Sequence, residues 1–224
     1  MNYEKEKELA SAESVKLVKN GMVVGLGSGS TAAYMVKELG KRVASGLSIF
    51  GIPSSENTRL LAIENGIPLK EFGEIEKIDI NIDGADEFDP YLRLIKGGGG
   101  ALLREKILAH NSKINIIIAD SGKQVKRLGS FKLPVEVVPF AASKIKEELA
   151  LLNLNPVLRK VDGSVFVTDE QNYILDIDIS NQTNLTNLEI KLKSIPGLVE
   201  TGLFIETTSK VIMGVGNKTI VLQK

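Results

Sequence analysis

Through its first 120 residues the chain alternates short apolar runs with stretches of helical spacing, and this alternation restricts the possible folds more than any other feature. Segments 22–26, 47–52, 78–82 and 114–119 read as strands. Between and before them lie expected helices at 4–19, with Asn20-Gly21 as its stop, and at 31–39, closed by Gly40. A third helix ends near Asn65-Gly66, and a fourth starts just after the glycine run that ends at Gly100. Strand and helix in turn argue for parallel strands with helices laid on both sheet faces.

After about residue 130 the pattern changes. Pro134 and Pro139 bracket a short strand, a helix spans 142–152, and 165–167 and 174–179 read as strands paired around Asp169-Glu170-Gln171-Asn172. A helix at 185–193, broken off by Pro196, leads to a strand over 198–205, and 211–215 and 219–222 read as two more strands. The expected class is therefore α/β, a mostly parallel Rossmann-like sheet with helices on both faces, plus a smaller α+β domain. A chain of 224 residues, 43% of them hydrophobic, can bury cores of that size.

Charge and composition exclude several function classes. The 28 basic and 28 acidic residues cancel, so no surface for nucleic acid is implied and any anion site must be local. No cysteine is present, which removes disulfides and thiolate chemistry. The single histidine, His110, follows a helical stretch and is expected to cap or cover its end. One histidine without a nucleophile-elbow sequence argues against a Ser-His-Asp triad, and a histidine-rich zinc site is ruled out. Residues 1–20 are charged and amphipathic without a signal-peptide core, and no segment is long and apolar enough to cross a bilayer, so a cytoplasmic location and no membrane partner are expected.

The chemistry concentrates in Asp83-Gly84-Ala85-Asp86-Glu87 and in Lys96-Gly97-Gly98-Gly99-Gly100-Ala101-Leu102-Leu103-Arg104-Glu105-Lys106. Ile78, Ile80 and Ile82 alternate with Asp79, Asn81 and Asp83 as in a strand that Gly84 ends, so Asp83 and Asp86 fall at its carboxyl end, where open α/β sheets bind ligands. Glu87 and Asp89 are expected to be solvated turn charges. On a helix beginning after the glycines, Glu105 shares a face with Ala101, Leu102, Leu108 and Ala109. A carboxylate set into an apolar stripe acquires a raised pKa or a specific partner. The amides of Gly97, Gly98 and Gly99, together with the helix start, favour an anion or a developing oxyanion.

A second glycine loop, Gly25-Leu26-Gly27-Ser28-Gly29-Ser30-Thr31, lies between a strand and a helix, where amides and hydroxyls can grip a phosphate. Ser30 stands where a dinucleotide fingerprint has its third glycine, and Pro53-Ser54-Ser55 replaces the ribose-binding acid after the second strand. No Walker lysine accompanies the loop. A monophosphate cradle formed by Ser28, Gly29, Ser30 and Thr31, with no nucleotide cofactor, is the expectation that remains.

In combination these segments resemble the ribose-5-phosphate isomerase A family. The likeness extends through Gly51-Ile52-Pro53-Ser54-Ser55, Ile118-Ala119-Asp120-Ser121-Gly122-Lys123, Leu133-Pro134-Val135-Glu136-Val137-Val138-Pro139 and Ile195-Pro196-Gly197-Leu198-Val199-Glu200-Thr201-Gly202-Leu203-Phe204. Ser28 stands where the family commonly has threonine, Glu56-Asn57 replaces a less charged pair, and 153–187 matches more loosely.

The resemblance implies that the closing strands return to the first domain, giving a catalytic α/β domain of residues 1–130 and 206–224 and a smaller domain of 131–205 bordering the cleft. It implies metal-free isomerisation of ribose 5-phosphate to ribulose 5-phosphate without a cofactor. Glu105 would be the base, Lys96 would stabilise an enediolate, and Asp83 and Asp86 would bind sugar hydroxyls and assist ring opening. Gly84, Ala85 and Lys123 would add substrate contacts, and the active unit would be a homo-oligomer, taken as a homodimer. Three alternatives stand beside it: a deaminating sugar-phosphate isomerase, a CoA transferase and a non-catalytic sugar-phosphate sensor. The sensor lacks an obvious output module in the two expected domains.

Overall fold

Apolar runs of four to six residues, covered on both sides, produce one central sheet. The computed structural model describes residues 2–223. Its first half holds α1 (Tyr3–Val15), β1 (Val23–Leu26), α2 (Ser30–Ala44), β2 (Phe50–Pro53), α3 (Glu56–Glu64), β3 (Ile80–Asp83), β4 (Glu87–Phe88), β5 (Leu94–Ile95), α4 (Leu102–His110) and β6 (Asn115–Asp120). Then come β7 (Leu133–Val137), α5 (Ala142–Leu151), β8 (Val157–Leu158), β9 (Lys160–Val161), β10 (Ser164–Val165) and β11 (Tyr173–Ile177). The chain closes with α6 (Leu185–Lys193), β12 (Leu198–Thr201), β13 (Leu203–Phe204), β14 (Lys210–Val215) and β15 (Lys218–Gln223). No helix among the described residues is long and apolar enough to cross a membrane.

The central sheet has the order β15-β14-β6-β3-β1-β2, parallel except for β15, which pairs antiparallel with β14 at the edge. Every residue of β6 is buried, as a strand covered on both faces requires. Ile116 and Ile118 join Val24, Leu26, Ile80 and Ile82 against Met35, Val36 and Leu39 of α2 and Ala10 of α1. Ile117 and Ala119 pack on the opposite side with Phe88, Leu94, Ala109 and Phe204. That second face is thus shared between α4 and a three-stranded sheet, β13-β5-β4, where the sequence pattern had suggested helices alone. Strand order reverses between β1 and β3, so a crevice opens beyond their carboxyl ends.

Several boundaries differ from the sequence expectation for identifiable reasons. Helix α1 ends at Val15, not at residue 19, because the Arg42 guanidinium takes the Val15 carbonyl and the next residues tighten into three-residue turns. Helix α2 continues through Gly40 to Ala44. A Cβ at Gly40 would stand 2.6 Å from the Asn65 carbonyl oxygen, so this glycine serves close packing and does not end the helix. The expected strand over 198–205 is divided between two sheets at Gly202. There Gly202 N–H donates to the Pro134 carbonyl at 2.8 Å, and its own carbonyl accepts from Lys96 N–H at 2.9 Å, so Gly202 docks the Lys96 backbone.

The expected pairing of 165–167 with 174–179 reduces to one bridge, Val167 with Tyr173. Strand β10 pairs with β9 instead, and β11 lies between β7 and β8 in the sheet β12-β7-β11-β8. Segment 166–170 is committed elsewhere: Phe166 lies against Gly100, Asp169 accepts from Glu56 N–H at 2.8 Å, and Glu170 pairs with Arg104 at 2.5 Å.

Candidate active site

The site begins where β1 and β3 end side by side. Gly27 N–H donates to the Ile82 carbonyl at 2.9 Å, and Asp83 Oδ1 accepts from Ser28 N–H at 3.0 Å and Gly84 N–H at 2.7 Å. This carboxylate ties the two strand-end loops together. A Cβ at Gly27 would stand 2.5 Å from the Asp83 Cα, so Gly27→Ala must force the loops apart. It is expected to cost about 1–3 kcal/mol, as overpacking does. Gly99→Ala, whose Cβ would meet nothing within 4 Å, is the control expected to stay within about 0.5 kcal/mol. Urea titration of both variants measures the difference, and equal stabilities would contradict the close-approach account.

Lys96 is 3% exposed and lies at the end of the short strand β5. Its Nζ donates to the Gly84 carbonyl at 2.6 Å and stands 3.0 Å from Asp83 Oδ2 and 3.3 Å from Glu105 Oε1. Burial pulls the ammonium down, but the attraction of Asp83, Glu105 and Asp86 outweighs it, so the pKa is raised and Lys96 stays charged.

Glu105 sits in the first turn of α4, 4% exposed, on the face it shares with buried Leu102, Leu108 and Ala109. Burial and the Lys96 ammonium act on its carboxyl in opposite directions, and the question is which prevails. Burial does, pushing the carboxyl up to about 8 against the pull of Lys96, with repulsion from Asp83 and Asp86 adding to the rise. Glu105 Oε2 is buried and has no hydrogen-bond partner. An unsolvated, unpartnered carboxylate oxygen is what a proton acceptor for a carbon acid needs. Asp83 is also pushed up by burial, opposed by Lys96 and by the Gly84 and Ser28 amides.

The glycine run has separate structural reasons at its different positions. Gly97 and Gly100 adopt φ of 95° and 87°, in the left-handed region that favours glycine. Gly98 N–H donates to Asp86 Oδ2 at 2.7 Å, so close that a Cβ there would strike the same carboxylate. Gly99 faces open space.

The opposite wall is the start of α2. Its N-cap, Gly29, supplies no side-chain cap, which leaves first-turn amides for an anion. Ser28 Oγ belongs to a hydroxyl cluster, 2.8 Å from Ser54 Oγ and 3.1 Å from Thr58 Oγ1, and it donates to Ser55 Oγ at 2.7 Å. Thr58 in turn donates to the Gly27 carbonyl at 3.0 Å, so the cluster braces the loop from below.

A cavity of about 80 Å³ is lined by Ser28, Gly29, Ser30, Thr31, Gly84, Ala85, Asp86, Lys96, Gly97, Gly98, Gly99, Glu105 and Lys123. All of them are residues expected at the site, Gly84, Ala85 and Lys123 from the family resemblance alone. Asp83, also marked, stands behind the wall, 1% exposed, with both oxygens engaged by the two loop amides and Lys96. A second cavity of about 490 Å³ shares Ser28, Gly29, Ser30 and Gly99 and extends past Asn57, Phe166 and Asp169. Among the described residues no group of three or more Asp, Glu, His or Cys is disposed to hold a metal ion.

Two acids depart from expectation. Glu87 and Asp89 are not solvated: they are 4% and 0% exposed. Glu87 accepts from Gly129 and Phe131 amides at 2.8 and 2.5 Å, while Asp89 accepts from the Tyr91 and Arg93 amides and pairs with the Arg93 side chain. Glu56 turns to Arg59, and Asn57 lines the larger cavity. His110 ends α4 in an exposed position. Sequence reading missed Thr58, Phe166, Asp169 and Arg159 around the site. Only Thr58 left a trace, three residues after the N-cap Ser55 that accepts its amide.

The model of the family Ribose 5-phosphate isomerase A (phosphoriboisomerase A) matches residues 50–218. The chain is 44% identical to ribose-5-phosphate isomerase A of Sphingopyxis alaskensis, over 96% of this chain and 95% of that one. It is 46% identical to the Bacillus mycoides protein of that name, over 94% and 96%. Ribose 5-phosphate isomerase A from Methanocaldococcus jannaschii superposes with a TM-score of 0.93 at 40% identity, covering 97% of this chain and 98% of that one. A D-ribose-5-phosphate isomerase solved with phospho-erythronic acid superposes with a TM-score of 0.96 at 38% identity over the full length of both.

Proposed function

The chain belongs to the ribose 5-phosphate isomerase A family and interconverts D-ribose 5-phosphate and D-ribulose 5-phosphate, and we propose that Glu105 is the base that moves the proton between C2 and C1. Family membership removes the CoA transferase, deaminase and sensor alternatives. The observation that carries the proposal is the buried, unpartnered Glu105 Oε2 in a cavity that also holds Lys96 and Asp86.

In this reading the phosphate sits on the amides and hydroxyls of Ser28, Gly29, Ser30 and Thr31, with Lys123 adding a cation. Gly84, Ala85 and Asp86 hold sugar hydroxyls, and Asp86 assists ring opening. Glu105 Oε2 takes the C2 proton of the open-chain aldose, and the C–H electrons form the enediolate. Protonation neutralises Glu105 and weakens its hold on Lys96 Nζ, so one ammonium N–H turns to the new oxyanion as it forms. The amides of Gly97 and Gly99 frame the same oxyanion, while Gly98 N–H stays on Asp86; the O2 hydroxyl proton then passes to O1, the C2 carbonyl forms, and Glu105 delivers its proton to C1. Asp83 works through Lys96, fixing its position and charge. The smaller domain of 131–205 borders the cleft, and the active unit is a cytoplasmic homodimer.

The pH profile tests this assignment. A base held near 8 must be deprotonated to act, so kcat/KM is expected to rise through neutral pH and level off above about 8. A profile already flat from about pH 6 upward would contradict it. Stability should move the other way. A folded pKa above the ordinary carboxyl value of 4.5 gives stability that is complete below that value and is lost as pH rises through about 8.

A further inference from the structure

The geometry points to Arg159, from the segment between β8 and β9, as a positioning residue that aims the Gly99 N–H at the reacting carbons; this rests on the reading above. The Arg159 guanidinium is fixed by Asp176, with Nε donating to Oδ2 at 2.9 Å and Nη2 to Oδ1 at 2.5 Å. Its remaining Nη1 donates to two consecutive carbonyls of the glycine run, Gly97 at 2.8 Å and Gly98 at 3.1 Å. The Phe166 ring packs beside the guanidinium, 5.9 Å from it, and fills the space that a Cβ on Gly100 would need.

These contacts fix two peptide planes. The Gly97–Gly98 peptide is held at both ends, its oxygen by Arg159 and its N–H by Asp86 Oδ2. In a planar trans peptide the C=O and N–H point opposite ways. Since Arg159 draws the Gly98 oxygen toward itself, the Gly99 N–H of the same peptide points away from Arg159. That N–H has no acceptor among the described residues, and Gly99 lines both cavities. Within the run the Gly97 oxygen also accepts from Gly100 N–H at 2.9 Å, but the Gly98 oxygen is held by Arg159 alone, so the orientation of a free oxyanion donor depends on an arginine some 60 residues away in the chain. The phosphate cradle, on α2, is not touched by Arg159.

Arg159→Ala is therefore expected to lower kcat roughly 10- to 100-fold, as small misplacements of catalytic groups do, with KM for ribose 5-phosphate within about threefold of the wild type. Millimolar guanidinium should restore part of the lost kcat, because the cavity left between Asp176 and the two carbonyls matches its planar fork. Arg159→Lys keeps the charge but not the fork, and it too is expected to lose kcat by at least about fivefold without a matching change in KM. A merely structural arginine would lower the melting temperature and leave kcat of the folded fraction unchanged.

Wild-type kcat in folded Arg159→Ala, or a loss confined to KM, overturns the inference. If Arg159→Ala fails to fold, wild-type kcat in Arg159→Lys overturns it equally. Failure here leaves the Glu105 assignment standing. That assignment falls only if Glu105→Gln keeps its turnover, whatever Arg159 does.

Discussion

Glu105→Gln is expected to lower turnover of ribose 5-phosphate by at least about 10²-fold, the lower end of what a positioned general base contributes, with substrate binding retained. Gln fills nearly the same volume and leaves the Lys96 and Asp83 pair in place. Because burial already keeps the Glu105 carboxyl up at about 8, the wild-type side chain is mostly protonated at neutral pH, and Gln imitates that neutral form. Folding stability should therefore match the wild type only below about pH 4.5; at neutral pH the variant should already be the more stable, because the unfolded wild-type chain gains by ionising a carboxyl that the folded protein keeps protonated. That advantage should grow from about pH 4.5 and level off above about pH 8, where the folded carboxyl is ionised as well. If kcat and kcat/KM fall by the same factor, the lost interaction belongs to the transition state alone. An equally large loss of folding stability would instead mean that Glu105 holds the structure together.

Lys96→Met has the largest expected effect on the fold and a comparable one on the chemistry. Lys96 Nζ is the cation between two buried carboxyls, at 3.0 Å from Asp83 and 3.3 Å from Glu105. Methionine keeps the length of the side chain but leaves Asp83, 1% exposed, without its counter-ion. Breaking a buried pair from one side costs about 3–5 kcal/mol. Turnover should fall by at least about 10²-fold, the scale of removing one oxyanion donor. The two effects separate in the double variant Asp83→Asn/Lys96→Met, which removes both charges of the pair. It is expected to recover much of the stability and none of the turnover. Chemical denaturation and steady-state kinetics measure them independently, and recovery of turnover with stability would mean that Lys96 only supports the fold.

What the sequence disclosed about this site was local in the chain. The loops at 27–31 and 83–86, the glycine run and the helix face of Glu105 are each set by neighbours within a few residues, so their periodicity and glycine content announced them. Contacts distant in the chain left no such mark. Glu87 is buried because the amides of Gly129 and Phe131 come to meet it, and no property of the stretch around Glu87 reports that. The same holds for Arg159 on the glycine run and for Asp169 on the start of α3.

Boundaries misled for a related reason. Gly40 looked like a helix stop, yet its small size serves Asn65, 25 residues on, and a side chain from α2 ends α1. The balance between burial and Lys96 at Glu105 was likewise not legible, since it depends on how completely water is excluded from the end of β5 and the first turn of α4.

Exchange of the C2 hydrogen of ribose 5-phosphate in D₂O, followed by NMR, tests the role of Glu105 most directly, because it registers carbon deprotonation even when no product is released. The wild type is expected to replace that hydrogen with deuterium and to place deuterium at C1 of ribulose 5-phosphate, while Glu105→Gln binds the sugar and leaves C2 unexchanged. Exchange by Glu105→Gln at the wild-type rate would contradict the assignment and move the base to another residue of the cavity.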